Sequence, residues 1–193
     1  VSRIADLPDG AVVGTSSVRR RAQLLALRPD LRIVEFRGNV QTRLGKLRDG
    51  VAEATLLAAA GLNRLGRMDV ASGLIPFEDM LPAAGQGIVA ATLRHDAPAW
   101  LHAACAAVDD MDARLAAHAE RAFLRRLDGS CRTPFAAQFR LTDDGAELLG
   151  EVLSNDGQQR WQATGRLSRR PSEADAEDLG LVVAEDIAAQ QAD

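Results

Sequence analysis

The chain has 193 residues, a formal net charge of −4 and a hydrophobic fraction of 47%, enough for one large or two small domains with true cores. Aromatic residues make up only 4% and tyrosine is absent, which argues against base-stacking nucleic-acid surfaces. No run approaches the ~18 uninterrupted apolar residues that a membrane helix needs.

Taken in order, Ala11–Gly14 predicts a short strand, and Thr15-Ser16-Ser17 leads into helical spacing over Val18–Leu27. Serine and threonine are favoured helix caps. Leu31–Phe36 predicts a second strand with Val34 and Phe36 on one face. Gly38-Asn39 turns the chain into a helix over Val40–Leu47, closed by Asp49-Gly50. Ala54–Ala60 predicts a third strand, followed by a short helix over Leu62–Leu65. Strands alternating with helices predict a parallel α/β sheet.

Pro76 to Gly87 is punctuated by proline and glycine and reads as a linker. Ile88–Thr92 is expected as a strand and Ala99–Val108 as a helix, with Cys105 in its core face. Met111–Leu127 predicts a long amphipathic helix ending at Gly129. Phe135–Leu141, Ala146–Ser154 and Gln159–Leu167 predict three strands, joined by turns at Asp143-Asp144-Gly145 and Asn155-Asp156-Gly157. A final helix is expected over Glu173–Gln190. This second half therefore reads as an antiparallel α+β domain.

Charge is distributed unevenly. Arg19, Arg20, Arg21, Arg28, Arg32, Arg37, Arg43, Lys46 and Arg48 are opposed between residues 14 and 48 only by Asp30 and Glu35. A basic block in an acidic chain points to a polyanionic ligand. The first predicted strand runs into Thr15-Ser16-Ser17, where free backbone N–H groups at a helix start are expected to bind an anion beside Arg19 and Arg20. The second strand ends at Arg37, and Arg43 lies one turn into the next helix. Both strand ends thus present guanidinium groups, which pair bidentately with carboxylates. Arg21, Arg28 and Arg48 are expected on solvated helix faces. Gly85-Gln86-Gly87 fits either a plain turn or a close ligand approach. The three histidines, His95, His102 and His118, form no metal-ligand pattern.

Cys131 sits in a tight loop, Asp128-Gly129-Ser130-Cys131-Arg132-Thr133-Pro134, near Arg125, Arg126 and Arg132. Such a setting favours a thiolate, although an isolated cysteine is more often a small buried hydrophobe. Both cysteines are expected reduced, in a cytoplasmic protein.

Five runs together carry a resemblance: Gly14-Thr15-Ser16-Ser17-Val18-Arg19-Arg20, Arg37-Gly38-Asn39-Val40-Gln41-Thr42-Arg43, Ala60-Gly61-Leu62-Asn63-Arg64-Leu65-Gly66, Pro82-Ala83-Ala84-Gly85-Gln86-Gly87 and the cysteine loop. In this order and spacing the chain resembles the porphobilinogen deaminase (hydroxymethylbilane synthase) family. The resemblance implies a transferase of haem and porphyrin biosynthesis that condenses four porphobilinogens head to tail, releasing ammonia each time. It implies a dipyrromethane cofactor held covalently by Cys131, with Ser17, Arg19, Arg20 and Arg43 on the cofactor's carboxylates. It further implies that Thr15, Arg37, Gly38, Arg64 and Gln86 face the substrate or the growing chain.

The implied architecture is a periplasmic-binding-protein-like parallel-sheet domain over 1–84, a hinge and return segment over 85–110, and a smaller α+β domain with a three-stranded antiparallel sheet over 111–193. The family's catalytic aspartate belongs to an N-terminal segment that has no counterpart here, so this chain is expected to be a fragment, inactive alone. The expected partner is porphobilinogen, with no nucleic acid and no membrane, and a monomeric parent. The competing class is a non-catalytic anion or dicarboxylate binding module of periplasmic-binding-protein type, which would have no use for a modified thiol.

Overall fold

The computed structural model describes residues 3–127 and 133–192. They divide into two compact units, one comprising residues 3–81, 133–134 and 152–160, the other residues 82–127, 135–151 and 161–192.

The first unit is built on a parallel sheet of three short strands, β1 (Val12–Gly14), β2 (Arg32–Val34) and β3 (Ala54–Thr55), in the order β2-β1-β3. Val13 pairs with Ile33 on one side and Ala54 on the other. Helix α1 (Val18–Leu27) carries the chain from β1 to β2, and α2 (Val40–Arg48) from β2 to β3. Each helix starts at a side-chain cap, at Ser17 from the Ser/Thr run expected to supply one and at Asn39 from the expected turn. Ser17 Oγ accepts from Arg20 N at 3.3 Å, and Asn39 Oδ1 accepts from Thr42 N at 2.9 Å, satisfying first-turn amides that lack helical partners. Ala11, Val13, Leu24 and Leu31 form the core, bordered by Ile4, Leu7, Ile33, Leu56 and Met80. Phe36 is fully buried beside β1, and a Cβ on Gly14 would overlap its ring, so only glycine fits that strand end.

In the second unit, α5 (Met111–Arg126) and α6 (Glu173–Ala192) pack on each other and on a sheet of β4 (Phe135–Thr142), β5 (Gly145–Leu153) and β6 (Arg160–Leu167), ordered β4-β5-β6. The two-residue link Asp143-Asp144 makes β4 and β5 antiparallel neighbours. Leu115, Ala119, Ala122 and Phe123 of α5 meet the apolar stripe Ala176, Leu179, Val183, Ala184 and Ile187 of α6, all buried. Gly180 lets the helices close, because a Cβ there would strike the Ala119 carbonyl. The sheet's other face is polar: Glu147 accepts from Arg140 and Arg166, and Glu151 from Gln162.

Three expectations are corrected. The strand predicted over Ala54–Ala60 is only Ala54–Thr55, and α3 (Ala59–Arg64) begins inside the predicted range. Alanine, the best helix former, dominates there once the pairing with β1 runs out. Ile88–Thr92 is not a strand, and Val89 is almost wholly exposed. Among the described residues no strand pairs with this segment, and β structure requires a neighbour for its amides. Helix α4 (Ala99–Ala107) forms as expected but buries none of its residues, so Cys105 is half-buried rather than core. Its composition promised a core helix; Trp100 and the flanking Val108 are exposed instead.

Candidate functional site

The strand ends of the first unit gather most of the predicted residues. Thr15 is buried directly after β1 and donates its N–H to Val34 O at 3.0 Å. Its Oγ1 accepts from Ser17 N at 3.2 Å. Ser16 Oγ accepts from Phe36 N at 3.0 Å and so ties the β1 end to the β2 end. Of the amides at this helix start, the N–H groups of Thr15, Ser17 and Arg20 are spent within the loop and the cap. The loop also presents side-chain charge.

Arg19 is buried at the start of α1, and its Nη1 donates to Gln23 Oε1 at 2.8 Å and to Leu81 O at 2.5 Å. Gln23 Nε2 donates to the same carbonyl at 3.1 Å. Arg19 thus fastens the end of the first unit to α1. Arg20, half-buried, donates from Nη1 to Leu56 O at 2.8 Å, just beyond β3. Arg43 donates from Nε to Gly38 O at 2.9 Å, in the loop after β2. Burial, and secondarily the neighbouring Arg43 charge, press the Arg20 guanidinium below its ordinary value. Among the described residues neither Arg20 nor Arg43 has a carboxylate partner. Two guanidinium groups that repel each other, one partly desolvated and held only by neutral carbonyls, leave positive potential unmatched at the carboxyl ends of the strands. Open α/β sheets bind ligands at this edge.

The remaining predicted residues are placed differently. Arg37 is exposed and pairs with Glu35 at 2.6 Å, while its carbonyl accepts from Lys46 Nζ at 3.1 Å. Gly38, at φ +124°, turns the chain so that its carbonyl meets Arg43. Arg64 is exposed in the last turn of α3. Gln86 belongs to the second unit, where its Oε1 accepts from Ala83 N at 3.4 Å. Cys131 lies outside the described residues.

Two further residues, Arg28 and Glu120, are placed where the sequence alone does not put them. Arg28 is not on a solvated face. It pairs with Asp30 at 2.7 Å and Asp9 at 3.4 Å and donates to the carbonyls of Ala5, Leu7 and Pro8. It is the fastener of the N-terminal stretch, visible in sequence only as one more arginine. Glu120, buried on α5, accepts from Gly85 N at 2.5 Å and Phe139 N at 2.8 Å. Its sequence signal was a carboxylate set beside the apolar stripe Leu115, Ala119, Ala122 and Phe123. Among the described residues, no group of three or more His, Cys, Asp or Glu is placed to hold a metal ion, and no helix is long and apolar enough to cross a membrane.

The class of protein so defined is a parallel α/β unit with arginines at its strand ends, with a separate helix-backed antiparallel sheet in the same chain. The chain belongs to the porphobilinogen deaminase family. The family's dipyromethane cofactor binding domain matches residues 1–102, and its C-terminal domain matches residues 114–189. The porphobilinogen deaminase of Paracoccus denitrificans is 52% identical over 184 residues, covering 95% of this chain and 57% of the relative. That of Nitrobacter hamburgensis is 46% identical over 182 residues, covering 94% and 56%. That of a Roseiflexus species is 45% identical over 184 residues, covering 95% and 59%. The chain thus spans somewhat more than half the length of the curated relatives it matches.

Proposed function

We propose that this chain is the cofactor-holding and C-terminal portion of a hydroxymethylbilane synthase, a cytoplasmic enzyme that condenses four porphobilinogens head to tail with release of ammonia. The observation that carries the reading is the Arg20–Arg43 pair, two uncompensated cations at the strand ends of the domain that matches the family's cofactor-binding model. A dipyrromethane fits this donor set, because each of its pyrroles bears carboxylates and the site offers guanidinium groups without acids. When bound through Cys131, the cofactor supplies a covalent primer to which rings are added as effectively intramolecular partners.

In this reading Ser17, Arg19, Arg20 and Arg43 hold the cofactor's carboxylates. Arg19 keeps its grip on Leu81 O while doing so, and Ser17 keeps α1 capped. Thr15, Arg37, Gly38, Arg64 and Gln86 face porphobilinogen or the lengthening chain. The parallel unit corresponds to a periplasmic-binding-protein-like domain over 1–84. Residues 85–110 form a hinge and return segment, and 111–193 the cysteine-bearing domain. The family's catalytic aspartate, which steadies positive charge on the pyrrole nitrogens, has no match among these 193 residues, and the polypeptide is expected to be inactive alone.

Intact mass measurement tests the proposal. The chain made alone is expected to have its sequence mass, with Cys131 open to a thiol reagent. A longer form carrying the family's N-terminal segment is expected to gain a dipyrromethane adduct on Cys131 and to consume porphobilinogen. A free Cys131 in an active longer form would overturn the assignment.

A further inference from the structure

Glu120 occupies an unusual place. β4 is an edge strand, ordered beside β5 alone. The amides of alternate residues Ala137 and Phe139 point to its open edge, where unpaired donors must find acceptors. Ala137 N finds Pro82 O at 3.2 Å. Phe139 N finds Glu120 Oε1 at 2.8 Å, and the other carboxylate oxygen takes Gly85 N at 2.5 Å. The segment 82–85 therefore runs along β4 in place of a fourth strand, with one peptide carbonyl and one carboxylate as its acceptors.

Gly85 and Gly87 lie at φ +74° and +91°, and Gln86 N and Ile88 N close the turn onto Ala83 O and Gly85 O. Gln86 thus lies, exposed, in a turn that is fixed through Gly85. We infer that Glu120 is a positioning residue: by holding Gly85 and Phe139 at once, its carboxylate sets the Gly85–Gly87 turn on β4 and so determines where Gln86 is presented to substrate. The clause about substrate rests on the function proposed above; the bridge itself rests on geometry alone. Burial raises the Glu120 carboxyl above its ordinary value while the two amides oppose that rise, so the bridge is under electrostatic load. An isosteric amide cannot replace it, because glutamine offers one acceptor and would turn its NH2 toward the second N–H.

The test has two parts. On the 193-residue chain, amide hydrogen exchange is compared between native protein and Glu120→Gln. Gly85 and Gln86 should exchange about tenfold faster or more, as expected for loss of a charge-assisted bond, with Leu115 and Val183 unchanged. In the longer enzyme, Glu120→Gln and Gln86→Ala should each lower kcat/KM for porphobilinogen, and the double variant should lose no more than the worse single one. Glu120→Asp, which keeps the charge but not the reach, should fall between native and Glu120→Gln in both parts. Unchanged exchange at Gly85, equal acceleration of the core amides, additive kinetic losses, or failure of both Glu120 variants to fold would overturn the inference. If the native longer enzyme does not consume porphobilinogen, the function proposed above fails, and the exchange data alone decide the bridge.

Discussion

Two arginines at the strand ends of the first unit differ from most arginines of the second. In the second unit Arg94, Arg114, Arg125, Arg126, Arg140, Arg166, Arg169 and Arg170 each meet a carboxylate. At the strand ends of the first, Arg20 and Arg43 meet only carbonyl oxygens. Residue type is the same, but acids are scarce around the first pair: between residues 14 and 48 only Asp30 and Glu35 carry negative charge. The lesson is that a functional cation is recognised by the partner it lacks. Paired arginines are neutralised and add little, as surface ion pairs generally do. Unpaired and partly desolvated ones cost stability and persist where a ligand offsets the cost.

The largest effect that could break this comparison is on loading. Arg43→Leu in the longer enzyme should abolish cofactor attachment, read as sequence mass and no turnover, because a ligand carboxylate would lose its counter-charge. Full loading of Arg43→Leu would show that the unpaired charge is incidental. Arg20→Leu should separate function from folding. In the chain without ligand it should leave thermal stability unchanged or raised by about 1 kcal/mol, since it removes a desolvated charge held without an acid, while in the longer enzyme it abolishes loading. Marked destabilisation would mean that Arg20 is a structural donor to Leu56 O.

Arg28 sharpens the comparison within the first unit, because it is paired like the arginines of the second. Arg28→Leu should leave loading chemistry intact but speed hydrogen exchange at Ile4–Asp6 and neighbouring residues, where its carbonyl partners lie. The Arg28 guanidinium and the Gly10 N–H hold the Asp30 carboxyl far below its usual range. This contribution is complete above the ordinary carboxylate value near pH ~3.9 and is lost as pH falls below it. The smallest effect concerns the start of α6. Ser172, through side chain and backbone, and then Arg169 press Asp175 down to about 2. Its stabilisation should be present above pH ~3.9 and fade between there and about 2, seen as fraying of the first turn of α6 by carboxyl and amide NMR. Ser172→Ala should bring the Asp175 titration back toward the ordinary range.

Much of this protein could be read from residue order because the deciding interactions are local. Helix α1 spans the predicted Val18–Leu27, since Ser17 caps it and Leu27 exhausts its apolar spacing. The Asp-Gly turns around β5 and the α5 stripe were legible for the same reason. Grouping of Arg19, Arg20, Arg37 and Arg43 at strand ends also followed from alternation of strand and helix alone. Long-range partners were not legible. The pairing length of β3 depends on β1, and the coil at Ile88–Thr92 on the lack of a neighbouring strand among the described residues. Cys105 is half-buried because no described element covers α4, which its apolar composition could not reveal. Arg28 looked identical to Arg43 until folding put three carbonyls and two carboxylates around one of them. Glu120 became a bridge only when β4 and the Gly85 turn, far apart in the chain, were brought to its two oxygens. Local periodicity and capping chemistry thus select the elements, whereas the partner that each charge finds, or fails to find, is set by tertiary packing.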